Sequence, residues 1–108
     1  MIVLQHISDA ISKVEEYIKG LDEQTFKEHS LVQDGVIRQI EIIGEATKHL
    51  SPDLQNKYPT IPWKDIAGMR NKLIHDYFGI DIEGVWDTVK EDIPNLKNEI
   101  ILILKTSK

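Results

Sequence analysis

The chain predicts an all-α fold, an antiparallel up-and-down four-helix bundle with room for an extra short helix. Two observations carry that expectation. Apolar residues recur at alternating steps of three and four along four separate stretches, the spacing of a helix face that buries one side. Short links containing Pro, Gly or Ser join these stretches, and nothing between them alternates in the manner of a strand. With 108 residues there is material for one hydrophobic core and not two, so residues 1–108 are expected to form a single domain.

The first stripe is Leu4, Ile7, Ile11, Val14 and Ile18, and Gly20 follows where a helix C-cap needs the left-handed conformation. The bridge from Leu21 to His29 is polar except for Phe26, which is expected to turn back onto the core. Ser30-Leu-Val-Gln33 has the form of a capping box and should open a helix that runs to Leu50 through Val32, Val36, Ile40, Ile43 and Thr47. Ser51-Pro52 punctuates that helix and suits a new short turn, with Ser as N-cap and Pro at the first helical position. Two prolines in Tyr58-Pro-Thr-Ile-Pro62 then make a stiff connection. The third long helix is expected to start near Pro62 or Trp63 and stop by Gly79, with Trp63, Ile66, Met69, Leu73, Ile74 and Phe78 as its apolar members. Asp81 caps a last helix whose stripe runs Ile82, Trp86, Val89, Ile93, Leu96, Ile100 and Ile103, and Pro94 should kink it or break it in two. The run Ile100-Ile-Leu-Ile-Leu104 is apolar on every face. It should lie either at the centre of the bundle or against a second subunit, and a homodimer is the preferred expectation.

Composition removes several function classes. There is no cysteine, which excludes disulfides, thiolate metal sites and Cys nucleophiles together and fits a cytoplasmic protein. No segment approaches the ~20 apolar residues of a membrane span, and the N-terminus has neither the basic start nor the small-residue cleavage site of a signal peptide. Net charge is −5, which argues against tight, non-specific nucleic-acid binding through phosphate neutralisation. A local basic site is compatible with that total, since Lys64, Arg70 and Lys72 are close in sequence. There is no Gly-rich phosphate loop, no Gly-x-Ser-x-Gly and no His-Glu-x-x-His, so ATP hydrolysis, serine hydrolysis and zincin proteolysis have no support.

Chemistry concentrates between Trp63 and Gly79. Arg70, Asn71, His75 and Tyr77 put a permanent cation, an amide, a titrating imidazole and a phenol within eight residues. On one straight helix, at ~100° per residue, Asn71 and His75 would stack one turn apart and Asn71 could hold the imidazole in one tautomer. Arg70 and Tyr77 would share a face. Arg70 and His75 would lie ~140° apart, so both can meet one phosphate only if the helix ends near His75 or a second copy contributes. Such a set suits metal-free RNA cleavage. His takes the proton from a 2′-hydroxyl, Arg stabilises the phosphorane charge through forked hydrogen bonds, and Tyr orients the phosphate or leaving oxygen. By spacing alone the structural reading comes first: a helix-terminal His suits the dipole, and an Arg can pair with Asp65 or a nearby Glu. Trp63 and Trp86 fall on apolar stripes and read as core. Glu41, Glu45 and His49 repeat along one face, but the second Glu/His copy that a bundle metal site wants is missing, so no metal is expected. Gly44-Glu45-Ala46 reads as close helix packing, with Glu45 free to reach Arg70 or His75.

At Arg70-x4-His75-x-Tyr77 the chain resembles the HEPN superfamily, specifically its HepT-like branch. The stretches Ile-Ile-Gly-Glu-Ala (42–46), Ile-Pro-Trp-Lys-Asp-Ile-Ala-Gly-Met-Arg-Asn (61–71) and 86–96 are similar too, so the resemblance covers roughly 2–104. The resemblance implies a helical bundle that dimerises through the signature helix. It further implies a metal-independent endoribonuclease, the toxin of a type VII toxin–antitoxin pair, working without a cofactor. Its partner would be a minimal nucleotidyltransferase antitoxin that uses ATP to place AMP on the signature tyrosine, with higher oligomers open. By that correspondence Arg70 and His75 are catalytic, Tyr77 is both site residue and AMPylation target, and Asn71 and Glu45 support them. The same superfamily offers an alternative, a non-catalytic nucleotide- or substrate-binding accessory subunit of a nucleotidyltransferase.

Overall fold

Local capping decides where the first helices begin and end. The computed structural model describes residues 2–69, 71, 74–75 and 79–106. Helix α1 spans Ile2–Ile18 and buries Leu4, Ile7, Ala10, Ile11 and Val14. Gly20 beyond it has φ +81°, a conformation a side chain would strain. Asp22 caps the short helix α2 (Glu23–Lys27) by accepting from the Thr25 N–H at 2.8 Å. Phe26 within it is fully buried, as its isolation in a polar bridge suggested, with its ring centroid 5.1 Å from that of Trp86.

Helix α3 (Ser30–Lys48) starts with a different cap from the one Ser30 and Gln33 suggested. Ser30 is already helical, and His29 Nδ1 accepts from the Val32 N–H at 3.4 Å. Gln33 instead donates to the carbonyls of Phe26 and Lys27 at 2.8 and 2.9 Å, tying the end of α2 to the start of α3. Helix α4 (Pro52–Lys57) forms as expected, with Ser51 Oγ accepting from the Leu54 N–H at 3.2 Å and Pro52 in the first turn.

The third long helix departs from expectation. Helix α5 covers Trp63–Ala67, helical backbone recurs at Met69 and Asn71, and the chain is extended by Ile74. Strand β1 (Ile74–His75) pairs antiparallel with β2 (Gly79–Ile80), so Ile74 faces Ile80 and His75 faces Gly79 across the ladder. Apolar spacing could not reveal this, because a short extended pair also consumes apolar residues at irregular intervals.

Asp81 caps α6 (Ile82–Asp87) by accepting from the Gly84 N–H at 2.9 Å. No break follows at Pro94. A π-helical turn at Thr88–Asp92 leads directly into α7 (Ile93–Thr106), and the Ile93 N–H bonds the Thr88 carbonyl five residues back. Pro94 has no N–H, and its ring would crowd the carbonyl four residues earlier; the wider turn absorbs that conflict inside one continuous helical body.

Three long rods therefore frame the fold: α1, α3 and the body running from Ile82 to Thr106. Tyr17, near the end of α1, lies where a Cβ on Gly35 near the start of α3 would be 3.2 Å from its ring, so these two rods run antiparallel. Lys97 Nζ sits 2.9 Å from Glu15 near the end of α1, so the last rod packs along α1 as well. The core between them is aliphatic, with Ile7, Ile11, Ile40, Ile43, Ile93, Ile100 and Ile103 at most 1% exposed. Of the apolar run near the C-terminus, Ile100 and Ile103 enter this core, whereas Ile101 and Leu102 face outward at 36% and 57% exposure. Among the described residues no helix is long and apolar enough to cross a membrane.

Candidate functional site

The motif-bearing segment is seated by two contacts. Gly44 in α3 provides the first: a Cβ there would lie 3.1 Å from the Ala67 carbonyl oxygen and 3.5 Å from that of Ile66. A side chain there would push the end of α5 back by a few tenths of an ångström, so glycine suits this close approach. Trp63 provides the second. Its buried indole N–H donates to the Gln55 and Tyr58 carbonyls, both at 3.1 Å, fixing the start of α5 to the end of α4. Ile66 and Met69 are buried beside it, which orients the helical turn leading to position 70.

Arg70 and Tyr77 lie outside the described residues, as do Lys72, Leu73, Asp76 and Phe78. His75 is described through its backbone, paired with Gly79. Asn71 is exposed, on helical backbone. The expected helical stack of Asn71 on His75, one turn apart, is overturned, because the backbone at 75 is extended. The ~140° separation expected of Arg70 and His75 assumed one straight helix through His75, which the extended backbone there replaces; Arg70 itself lies outside the described residues. Glu45 is exposed and has its carboxylate 3.8 Å from Lys48 Nζ and 3.6 Å from His49 Nε2, partners at the end of its own helix and just beyond it. At such exposure these pairs contribute little to stability. Glu41, Glu45 and His49 make no metal cluster; among the described residues no group of three His, Cys, Asp or Glu could hold a metal ion.

Sequence reading missed an open cleft of about 670 Å³ between α5 and the last rod. Ile61, Ile66, Met69 and Leu96 give it an apolar floor, and Lys64, Asp65, Asp92, Asn95 and Glu99 stand around it. Asp92, Asn95 and Glu99 fall at i, i+3 and i+7, one helix face with Leu96 between them. That polar stripe was legible, but nothing in one dimension says that α5 lies opposite. The cleft reaches Gly68 and Met69, the residues immediately before Arg70 in the chain.

A family model described as "Ribonuclease HepT-like" matches residues 7–103. This chain belongs to the HepT-like family.

The matched stretch takes in Glu45, Arg70, Asn71, His75 and Tyr77, so every residue singled out above is inside the HepT-like unit. Among similar proteins, the probable ribonuclease HepT of Thermococcus cleftensis is 46% identical over 96 residues, covering 89% of this chain and 87% of that protein. A provisionally named RNase of Methanocaldococcus jannaschii is 41% identical over 100 residues, covering 93% and 92%. A second protein of that organism, whose name joins a gamma-glutamylcyclotransferase to a provisional RNase, is 49% identical over 104 residues. Those residues are 96% of this chain but only 47% of that relative, so the HepT-like chain spans about half its length. No solved structure matches.

Proposed function

We propose that this HepT-like chain is a metal-independent endoribonuclease, the toxin of a toxin–antitoxin pair, with His75 as base and Arg70 as the stabiliser of phosphorane charge. The observation that carries the reading is the end of helix before Ile74, together with family membership. A helix continuing through His75 would hold Arg70 and His75 on nearly opposite faces; an extended backbone at 75 is free of that constraint. In the reaction His75 accepts the 2′-hydroxyl proton as that oxygen attacks the adjacent phosphorus. The bond from phosphorus to the 5′-oxygen breaks, and that oxygen takes up a proton as it leaves. Arg70 offers paired N–H donors to the oxygens that gain charge. The products are a 2′,3′-cyclic phosphate and a 5′-hydroxyl.

Tyr77 is proposed to orient the phosphate and to be the residue on which a partner nucleotidyltransferase places AMP, which would add negative charge and block entry of RNA. Two signature segments across a two-fold axis would complete a composite site, and the outward Ile101 and Leu102 are compatible with contact between copies or within a larger assembly with the partner. Asn71, exposed beside position 70, is assigned to holding substrate, and Glu45 remains a supporting residue. A cytoplasmic location follows from an RNA substrate.

Cleavage of labelled RNA in EDTA, comparing wild type with His75→Ala, tests the reading. Fragments ending in a cyclic phosphate with wild type, reduced by about 10²–10⁴-fold in the variant, are the expected result. Equal cleavage by both would expose a contaminant. No cleavage by either on several RNAs would favour the accessory nucleotide-binding subunit, a reading to which the net charge of −5 lends weight.

A further inference from the structure

The cleft between α5 and the last rod is unused by the chemistry just described, yet it opens at Gly68 and Met69, next in the chain to Arg70. Its volume of about 670 Å³ is in the range of small-ligand sites. Its floor is apolar and buried: Ile61, Ile66, Met69 and Leu96 are each at most 8% exposed. Among the described residues around that floor stand the carboxylates of Asp65, Asp92 and Glu99, which only accept, the Thr60 hydroxyl and Asn95 amide, which donate and accept, and the cation of Lys64. Among the described residues none of these three carboxylates is held in an ion pair, and no three acidic or histidine groups are close enough together to grip a metal.

From this geometry we infer that the cleft is a nucleobase subsite that accepts a splayed-out, amino-bearing base of the RNA and discriminates against uracil. A carboxylate has no donor, so the three carboxylates repel a phosphate and cannot satisfy the carbonyls of a base edge, while Thr60 and Asn95, which both donate and accept, do not discriminate. A carboxylate can accept from the exocyclic amino group of cytosine, adenine or guanine, the pairing that Asp and Glu make with cytosine N4. An apolar floor with acceptors beside it matches how single-stranded RNA is read, base by base, once unstacked. Among the described residues that line the cleft, Lys64 on α5 carries the positive charge suited to the backbone phosphate. Uracil presents two carbonyl oxygens flanking its only edge N–H, and those oxygens would face the carboxylates.

The inference takes its RNA substrate from the nuclease reading, so the test separates the two. The probes are short oligocytidylate and oligouridylate added to the His75→Ala protein, with affinity and amide chemical shifts followed. Oligocytidylate is expected to bind about fivefold to a hundredfold tighter than oligouridylate, the worth of one or two such base contacts. It should shift the amides of Asp92–Glu99 and of Lys64–Met69. Asp92→Asn with Glu99→Gln, exposed and nearly isosteric, should erase the preference. Equal affinity for both probes, or a preference that survives the double substitution, overturns the subsite. If the cleft responds to cytidylate while wild type cleaves no RNA, the subsite stands and the nuclease reading falls. If wild type cleaves RNA without base preference and the cleft amides stay still, the nuclease stands and the subsite falls.

Discussion

Two regions differ in how far a helix continues. The body from Ile82 to Thr106 contains a proline and stays helical, whereas the segment after Trp63 contains none before Gly79 and leaves the helix. Burial explains the contrast. The last rod presents Val85, Trp86, Val89, Ile93, Leu96, Ile100 and Ile103 as one buried stripe, so keeping it continuous is worth far more than one strained turn. After α5 begins, the described buried residues are Trp63, Ile66 and Met69, a shorter stripe than that of the last rod, and the chain, still helical at Asn71, is extended at Ile74. Helix continuation is thus a property of the whole buried face and not of the local residues.

The largest effect on this contrast should come from Trp63→Ala. It removes the buried indole and both of its hydrogen bonds, and a loss of about 3–5 kcal/mol is expected in urea unfolding. RNA cleavage should fall even where the protein remains folded. A loss below 1 kcal/mol would mean that α5 is seated by something else.

Gly44→Ala is expected to separate site from frame. Overpacking against the Ala67 carbonyl at 3.1 Å costs about 1–3 kcal/mol, and the gain in helix propensity returns about 1 kcal/mol. Stability should therefore drop modestly while cleavage drops more than tenfold. Unchanged activity with raised stability would show that the close approach is not limiting. Gly35→Ala is the control, because the Tyr17 ring opposite is partly exposed and can swing aside.

Pro94→Ala should do less. A proline inside an ordinary helix costs about 3 kcal/mol, and a π-helical turn that already accommodates it should leave under ~1 kcal/mol to be gained by replacement. A stabilisation near the full value would say that the turn relieves nothing.

The smallest expected effect is at Asp22, whose carboxyl is held below its ordinary 3.8 first by the Thr25 hydroxyl and then by the Thr25 N–H. A depressed folded-state pKa stabilises above the unfolded value and loses that contribution as pH falls through the folded one. The Tm gap between wild type and Asp22→Ala should accordingly be full at neutral pH and close below about pH 4. A gap that widens in acid would contradict the assignment.

Legibility in the sequence tracks how local each feature is. Gly20, Ser51, Asp81 and the burial of Phe26 were readable because a cap or an isolated aromatic answers to its immediate neighbours. The cap of α3 was misread at Ser30 because His29 has the same acceptor capacity one residue earlier and Gln33 is drawn away to α2. The helix through His75 was overextended because its apolar spacing fits a helix, and the pairing of His75 with Gly79 is decided by residues further along. At the site, Arg70, His75 and Tyr77 were legible as a motif. Gly44 was legible as a close contact, but that its partner is the carbonyl end of α5 needed three dimensions. The cleft was invisible, since its two walls are about thirty residues apart in sequence.

The bond from the Trp63 indole to the chain at Gln55 and Tyr58 also makes the protein its own optical reporter. There are two tryptophans, and Trp86 packs at a tilt against Phe26 of α2, outside the α4–α5 junction. Replacing Trp86 with phenylalanine would leave one emitter, shielded from water and hydrogen-bonded at the base of the motif segment. Its colour and intensity would then register any shift of that segment on RNA entry, without a dye and without disturbing the residues assigned to chemistry.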